Sequence, residues 1–253
     1  MATRMNLGQV FTDTEVARLY AHRAPYPDEV LTILRGLLVE PARILDVGAG
    51  TGALARRMLA FAERVDAVDP STAMTRTGRE LPGGSDERLH WITGRAENAP
   101  LSPPYGLITA GASLHWVDPD VALPRLRDAL APGAVIAIVD TEPIHGPQWA
   151  DLRAVIQAYS ELDHHVDTPE FVDDLSSAGR FTIAGQLRTE PATFEQSIDD
   201  YIGMLHSTST LARVRLGDRA PRFDAEVRAV FARFGLDRVR FGVVGIVTWG
   251  RPT

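Results

Sequence analysis

The stretch from Arg43 to Met58, Arg-Ile-Leu-Asp-Val-Gly-Ala-Gly-Thr-Gly-Ala-Leu-Ala-Arg-Arg-Met, constrains this chain more than any other. Ile44, Leu45 and Val47 read as a short buried strand. Asp46 to Gly52 then turns, and Ala53 to Ala62 carries a helical pattern. Gly48, Gly50 and Gly52 stand on alternate residues, so the backbone bends sharply and no side chain separates it from a ligand. A dinucleotide-binding turn spaces its glycines Gly-x-Gly-x-x-Gly and offers amides to a pyrophosphate, which a carboxylate would repel. Here the spacing is Gly-x-Gly-x-Gly, with the acid Asp46 at its mouth. That combination suits a ligand with an ammonium group. A glycine-rich strand-to-helix turn with no ligand reads the same way locally, so the rest of the chain must decide.

At 253 residues, the chain has room for one large α/β domain or a core domain plus a cap. With 45% hydrophobic residues it has the composition of a packed globular protein. Its formal net charge of −7 argues against a nucleic-acid backbone as partner. No cysteine is present, which excludes disulfides, thiolate catalysis and cysteine-based zinc sites. Met1 to Asn6 lacks the apolar core of a signal peptide, and no apolar run approaches the ~20 residues of a membrane span. These features predict a soluble cytoplasmic protein, monomeric or homodimeric, with neither a membrane nor a nucleic acid as partner.

Thr12-Asp13-Thr14-Glu15 reads as a capping box, with Thr12 three residues before Glu15, opening a helix near Asp13. Pro27 suits the first turn of a second helix, buried along Val30, Leu31, Leu34, Leu37 and Leu38. The connector Tyr20-Ala21-His22-Arg23-Ala24-Pro25-Tyr26-Pro27 is rich in aromatic and hydrogen-bonding groups. It is either a structural elbow or a lid over a ligand. Val65 to Asp69 reads as a second strand, with Asp69 about 20 residues past the glycine loop, where α/β nucleotide folds set a carboxylate against ribose hydroxyls. Pro70-Ser71 opens a helix containing Met74, whose thioether suits either a flat ring or core filling. Leu89 to Ile92 is a third strand, followed by a loop with Glu97, which is either a ligand acceptor or plain surface.

Leu107 to Ala110 is a fourth strand, opening into Gly111-Ala112-Ser113-Leu114-His115-Trp116-Val117-Asp118. A helix from Pro119 to Leu130 leads to an apolar fifth strand, Ala134 to Val139, as in a parallel sheet covered on both faces. Strands alternating with helices predict a doubly wound α/β fold, whose ligands sit outside the carboxyl ends of the strands. Asp46, Asp69, the Glu97 loop and the Ser113–His115 loop all fall at that edge. Past Asp140 the rhythm changes. A loop and helix cover 141–165, another helix 169–178, and an extended pair of segments 181–194. A helix over 199–210 is expected to expose Tyr201, Met204, His206, Ser207 and Ser209. A further helix ends near Phe234-Gly235, and Val239 to Trp249 is a final strand, where Gly242 and Gly245 mark a bulge or a close packing approach.

These motifs together resemble the class I S-adenosylmethionine-dependent methyltransferases, and most closely their small-molecule branch of trans-aconitate methyltransferase-like proteins. The carriers are Asp46 to Gly52, Val68-Asp69-Pro70-Ser71, Gly94-Arg95-Ala96-Glu97 and Ser113 to Asp118, with Tyr20 to Arg23 and Tyr26-Pro27 matching a lid segment. The resemblance implies a Rossmann-like, seven-stranded, mostly parallel sheet whose last strand runs antiparallel, with helices on both faces and a small substrate cap. It implies one domain over 1–253: a helical lid at 1–40, a cofactor core at 41–140, a cap with part of the sheet at 141–216, and a closing helix and strand at 217–253. S-adenosylmethionine is the implied cofactor. Its methionine end falls to Asp46, Gly48, Ala49, Gly50 and Gly52, with Tyr20 and Arg23 from the lid and Ser113 beside the sulfonium. The ribose falls to Asp69 with Pro70, and the adenine to Met74, Ala96 and Glu97.

Transfer from a sulfonium is an in-line displacement by an O, N or C nucleophile of a small organic molecule, driven mainly by proximity. A base is needed only where the acceptor must lose a proton. His115 is the candidate, its alternative being a packed, hydrogen-bonded structural histidine. The acceptor is expected among Tyr26, His115, Trp116, Trp149, Tyr201, Met204 and His206, and His206, His164 and His145 are weaker candidates as base. His164-His165 are adjacent and have no ligand quartet, so no metal site is expected. A nicotinamide oxidoreductase is disfavoured by the glycine spacing. A nucleic-acid methyltransferase is disfavoured by acidity and by the lack of an Asn-Pro-Pro-Tyr-type segment after strand four. A methyltransferase-like protein with a non-methylating or partner-subunit role is the alternative.

Overall fold

A computed structural model of the protein describes residues 8–160 and 168–253. Helices α1 (Thr14–Leu19) and α2 (Asp28–Leu37) precede β1 (Arg43–Val47). The chain continues through α3 (Ala55–Met58), β2 (Arg64–Asp69), α4 (Thr72–Glu80), β3 (Leu89–Thr93), β4 (Leu107–Gly111), α5 (Pro119–Ala129) and β5 (Ile136–Ile144). Then come α6 (Trp149–Tyr159), α7 (Thr168–Ser177), β6 (Phe181–Arg188), β7 (Ala192–Ser197) and α8 (Ile198–His206). The described chain closes with α9 (Arg213–Leu216), α10 (Ala220–Arg233) and β8 (Arg238–Pro252). It divides into two compact units, one of residues 26–142, 168–190 and 244–253, the other of 8–25, 143–160 and 191–243.

In the first unit, β1 pairs in parallel with β2 and β4, β2 with β3, and β4 with β5. Successive side chains along these strands point to opposite faces. Leu45, Val47, Val68, Ile108 and Ile138 therefore join one buried cluster with Leu123 and Leu126 of α5 and Phe171 and Leu175 of α7. Ile44, Val65, Ala67, Leu107 and Val139 join another, with Val30 and Leu34 of α2 and Met58 of α3. Both faces are apolar because both are covered, which is why these strands read as continuous hydrophobic runs. Fully burying each such side chain contributes roughly 1.5–3 kcal/mol.

The sheet order is β3-β2-β1-β4-β5-β8-β6, with β7 off this path and paired to β8. The main path thus has the seven strands the resemblance implies, and β7 makes an eighth. β8 is antiparallel to β6, and this is the doubly wound Rossmann-like fold. The order reverses between β1 and β4, so a crevice opens outside their carboxyl ends. Gly245 marks close packing, since a Cβ there would lie 2.3 Å from Val30 Cγ2.

Local details differ from the sequence reading. The cap of α1 is Asp13, whose side chain accepts from the amides of Glu15 and Val16, while the Thr12 hydroxyl turns back to the Gln9 carbonyl. Helix α3 is one turn, in a stretch that mixes four-residue bonds, such as Met58 to Leu54, with tighter three-residue ones from Arg57 to Leu54 and from Ala60 to Arg57. In the second unit, α8 does not expose the polar side it was expected to. Tyr201, His206, Ser207 and Ser209 are all buried, because α8 packs against α10 through Tyr201, Ile202, Leu205, Phe223, Val227 and Phe231. Among the described residues, no helix is long and apolar enough to cross a membrane.

Asp66, in the middle of β2, is wholly buried. Its Oδ2 accepts from the Tyr105 hydroxyl at 2.6 Å and its Oδ1 from Arg64 Nε at 2.7 Å, while the Ser102 amide donates to Tyr105 at 2.8 Å. Tyr105→Phe keeps the ring but strips one partner from a buried carboxylate and one from an amide. Denaturant unfolding should show a loss of about 2 kcal/mol. An unchanged midpoint would mean that this network is not holding β2 to the segment before β4.

Candidate functional site

The loop after β1 keeps its shape through backbone torsion and one carboxylate. Gly48, Gly50 and Gly52 have φ of +64°, +57° and +76°, a region that side chains with a Cβ rarely enter. A Cβ on Gly48 would lie 2.5 Å from Ser113 Cβ, so the loop and the end of β4 close on each other. Ser113 is buried and donates to the Val47 carbonyl at 2.5 Å. Asp69 ties the loop to β2: its Oδ2 accepts from the Gly50 amide and its Oδ1 from the Ser71 amide, each at 2.8 Å. Ser71 in turn caps α4 by accepting from the Met74 amide.

Asp46 is 2% exposed and accepts from the Thr109 hydroxyl at 2.7 Å. Burial pushes its carboxyl from 3.8 up to about 7, against the hydrogen bonds of Thr109 and the Ala55 amide, and the nearby charge of Asp69 adds to the rise. Burial raises Asp69 as well, opposed by the Ser71 and Gly50 amides. Two buried acids at one strand edge make a site that favours a cation. A small open cleft lies there, lined by Tyr26, Asp46, Gly48, Ala49, Ala53, Leu54 and Gly111, with no basic side chain among them. A Cβ on Gly111 would lie 2.7 Å from the Tyr26 hydroxyl, so only glycine leaves that wall open.

The remaining expected residues of this unit surround the loop differently. Met74 is 1% exposed and Ala96 is buried, while Pro70 is on the surface. Glu97 is held by the Asp118 amide at 2.9 Å and Arg95 at 3.0 Å. Burial raises its carboxyl, but these bonds and its own amide outweigh that and leave it below the usual range. His115 and Trp116 lie on a one-turn helix, Leu114–Trp116, half-buried with ring centroids 4.9 Å apart. Just before them, Ala112 adopts φ +47°, a strained conformation at the mouth of the sheet.

Tyr20, Arg23, Trp149, Tyr201, Met204 and His206 belong to the second unit. Arg23 lies over the Tyr20 ring, its Cζ 4.0 Å from the centroid. Trp149 stacks on His145 at 3.5 Å, and burial lowers the pKa of His145. Tyr201 sits edge-on to Phe231 and Phe241, with Met204 partly buried nearby. His206 is the clearest correction to the expected acceptor site. It is wholly buried, with Nδ1 against the Leu211 carbonyl at 2.7 Å and Nε2 against Asp224 at 2.6 Å, so neither ring nitrogen is left for a ligand. His164 and His165 lie outside the described residues, and among the described residues no group of three or more histidine and acidic side chains could hold a metal.

Thr109, Leu54 and Gly111 were not singled out from sequence. Thr109 had a signal, as the one polar side chain inside the apolar strand Leu107 to Ala110. Leu54 and Gly111 had none, since only the fold brings them to the cleft.

Comparison with known proteins shows what the chain is similar to. Residues 44–133 match the family model described as a methyltransferase domain. The chain is 36% identical over 144 residues to a trans-aconitate 2-methyltransferase of Variovorax paradoxus, covering 54% of this chain and 53% of that protein. It is 37% identical over 117 residues to a malonyl-[acyl-carrier protein] O-methyltransferase of Geobacter sulfurreducens, covering 44% and 42%. The chain spans about half the length of the curated relatives it matches. A solved S-adenosylmethionine-dependent methyltransferase from Geobacter sulfurreducens, in complex with S-adenosylhomocysteine, shares the fold. The TM-score is 0.52 at 19% identity, covering 94% of this chain and 97% of that one.

The raised carboxyl of Asp46 carries a stability consequence. The native state binds its proton more tightly than the unfolded chain does, so its contribution is complete below pH 3.8 and is lost as pH rises through about 7. Asp46→Asn carries no such penalty. It should melt higher than wild type at pH 8, by roughly 5 °C, with the gap closing toward pH 4. A gap independent of pH would show that Asp46 is ionised in the native state throughout this range.

Proposed function

We propose that this chain transfers a methyl group from S-adenosylmethionine to an oxygen of a small carboxylic acid. The observation that carries the reading is the pair of buried acids, Asp46 and Asp69, at the carboxyl ends of β1 and β2, beside a glycine-loop cleft whose lining has no basic side chain. That donor set fits the cofactor. Asp46 faces a cleft suited to an ammonium, and each oxygen of Asp69 accepts one amide and keeps acceptor capacity for a ribose hydroxyl. The acid class of the acceptor is supported by two relatives with different names, both of which act on molecules that contain carboxyl groups.

When bound, the cofactor supplies an electrophilic methyl: the acceptor oxygen's lone pair forms the new O–C bond while the S–C bond electrons return to sulfur. The chain's own work is to hold and orient. Asp69 fixes the loop through Gly50, and Thr109 fixes Asp46. A carboxylic acid, with an ordinary pKa near 4, is already ionised at neutral pH, so no base has to remove a proton. His115 then serves to shape the pocket rather than to move a proton.

Calorimetry should show one site for S-adenosylhomocysteine and none for reduced nicotinamide dinucleotide, with Asp69→Ala weakening the former about tenfold or more. Binding of the dinucleotide instead would overturn the cofactor assignment. Mass spectrometry of a panel of small di- and tricarboxylates should then reveal a methyl ester. On that acceptor, His115→Ala should retain kcat within about threefold, whereas a base would cost roughly 10²–10⁴-fold. A loss of that size would mean that the acceptor is a hydroxyl or amine.

A further inference from the structure

Within the first unit, the indole of Trp91, on the edge strand β3, reaches the far end of the glycine loop. A Cβ on Gly52 would lie 2.7 Å from Trp91 Cη2 and 3.3 Å from Cζ2. Gly78, a buried residue of α4, meets the same two ring atoms. A Cβ there would overlap Cη2, lie 2.8 Å from Cζ2 and stand 2.9 Å from the Thr51 carbonyl oxygen. One ring therefore needs bare backbone at two places, one in the loop and one in a helix.

The ring is also fixed at its polar end. Its Nε1 donates to the Gly84 carbonyl at 2.8 Å, in the connector between α4 and β3, as the N–H of a half-buried indole requires. The same connector is tied to the loop through Arg56, whose Nη1 donates to the Pro82 carbonyl at 2.9 Å and whose Nε donates to the Thr51 carbonyl at 3.2 Å. Glycine weakens the interior of a helix, and Gly78 is not among the glycines with positive φ, so the backbone of α4 gives no reason for it. Its reason is the close approach of the indole and of Thr51. Asp69 holds the loop at the Gly50 amide, while Thr51 and Gly52, the next two residues, rest on Trp91 and Gly78.

We propose that Trp91 is a positioning residue for the cofactor: with Gly78 it forms the seat that fixes Thr51 and Gly52 before a ligand arrives. The third glycine of the motif is then bare for the sake of the indole, and a loop already in place binds with less ordering cost. The inference rests on the methyl-transfer reading for the identity of the ligand only.

The test is calorimetry with S-adenosylhomocysteine on Trp91→Phe, which removes Nε1 and the outer ring, and on Gly78→Ala, which puts a methyl against the indole. Each should bind about tenfold more weakly at a temperature where it is fully folded. The double variant should bind no more weakly than either single one, because phenylalanine vacates the space that the methyl needs. Full affinity in Trp91→Phe, or losses that add in the double variant, would overturn the proposal and leave Trp91 a filler of the sheet edge. Because Trp91 belongs to the fold, hydrogen exchange without ligand is the second measurement. The amides of residues 49–52 should exchange faster in Trp91→Phe while those of β1 keep their rate, whereas an equal acceleration in both would mean a general loss of stability and overturn the proposal. Should the wild type not bind the nucleoside, the methyl-transfer reading fails, and exchange at the loop alone decides whether Trp91 sets it.

Discussion

The hold of the Asp69 carboxylate on the Gly50 amide is the contact on which the candidate site depends. A loop with three positive-φ glycines has no side chains to steady it, and the entropy of fixing glycine backbone is the largest of any residue. Asp69 supplies what the loop lacks. The same carboxylate bonds the Ser71 amide, and Ser71 caps α4, so a single acid sets the loop, the end of β2 and the start of the next helix. Its charge also reaches Asp46, raising that carboxyl further in a site where burial already does so. Structure and electrostatics therefore come from one residue.

The parts of the fold legible in sequence were those dictated locally. Strands β1, β2, β4 and the first half of β5 read clearly because both of their faces are buried, so inside the ends of these runs only Asp46, Asp66 and Thr109 interrupt the hydrophobic pattern. Asp46 was visible because it stands beside glycines that only a special turn needs. Asp66 was passed over: its partner Tyr105 lies 39 residues on, and no local pattern announces that pair. The one-turn α3 shows the same limit, since an apolar pattern from Ala53 to Ala62 does not say whether the backbone bonds close over three residues or four.

The second unit was harder for a physical reason. Helical spacing on α8 separates two faces but does not say which is covered. Tyr201 and Leu205 face the aromatic cluster of α10, while Gly203 and Ser207 face His22 and Arg23, so little of the helix is left open. His206 illustrates the consequence. A histidine on an apparently polar face suggested a ligand contact, yet its partners are Leu211, in the turn after the helix, and Asp224, on α10, which helical spacing does not announce.

The central claim is that the two buried acids at the β1 and β2 ends form a cation-favouring cradle for S-adenosylmethionine. A crystal structure of the chain grown with S-adenosylhomocysteine tests it most directly. The account predicts the ligand's ribose diol on Asp69 and its ammonium in the cleft lined by Asp46, Gly48 and Gly111. A ligand seated elsewhere, with Asp69 making only its bonds to Gly50 and Ser71, would contradict it and leave both acids as fasteners of the fold.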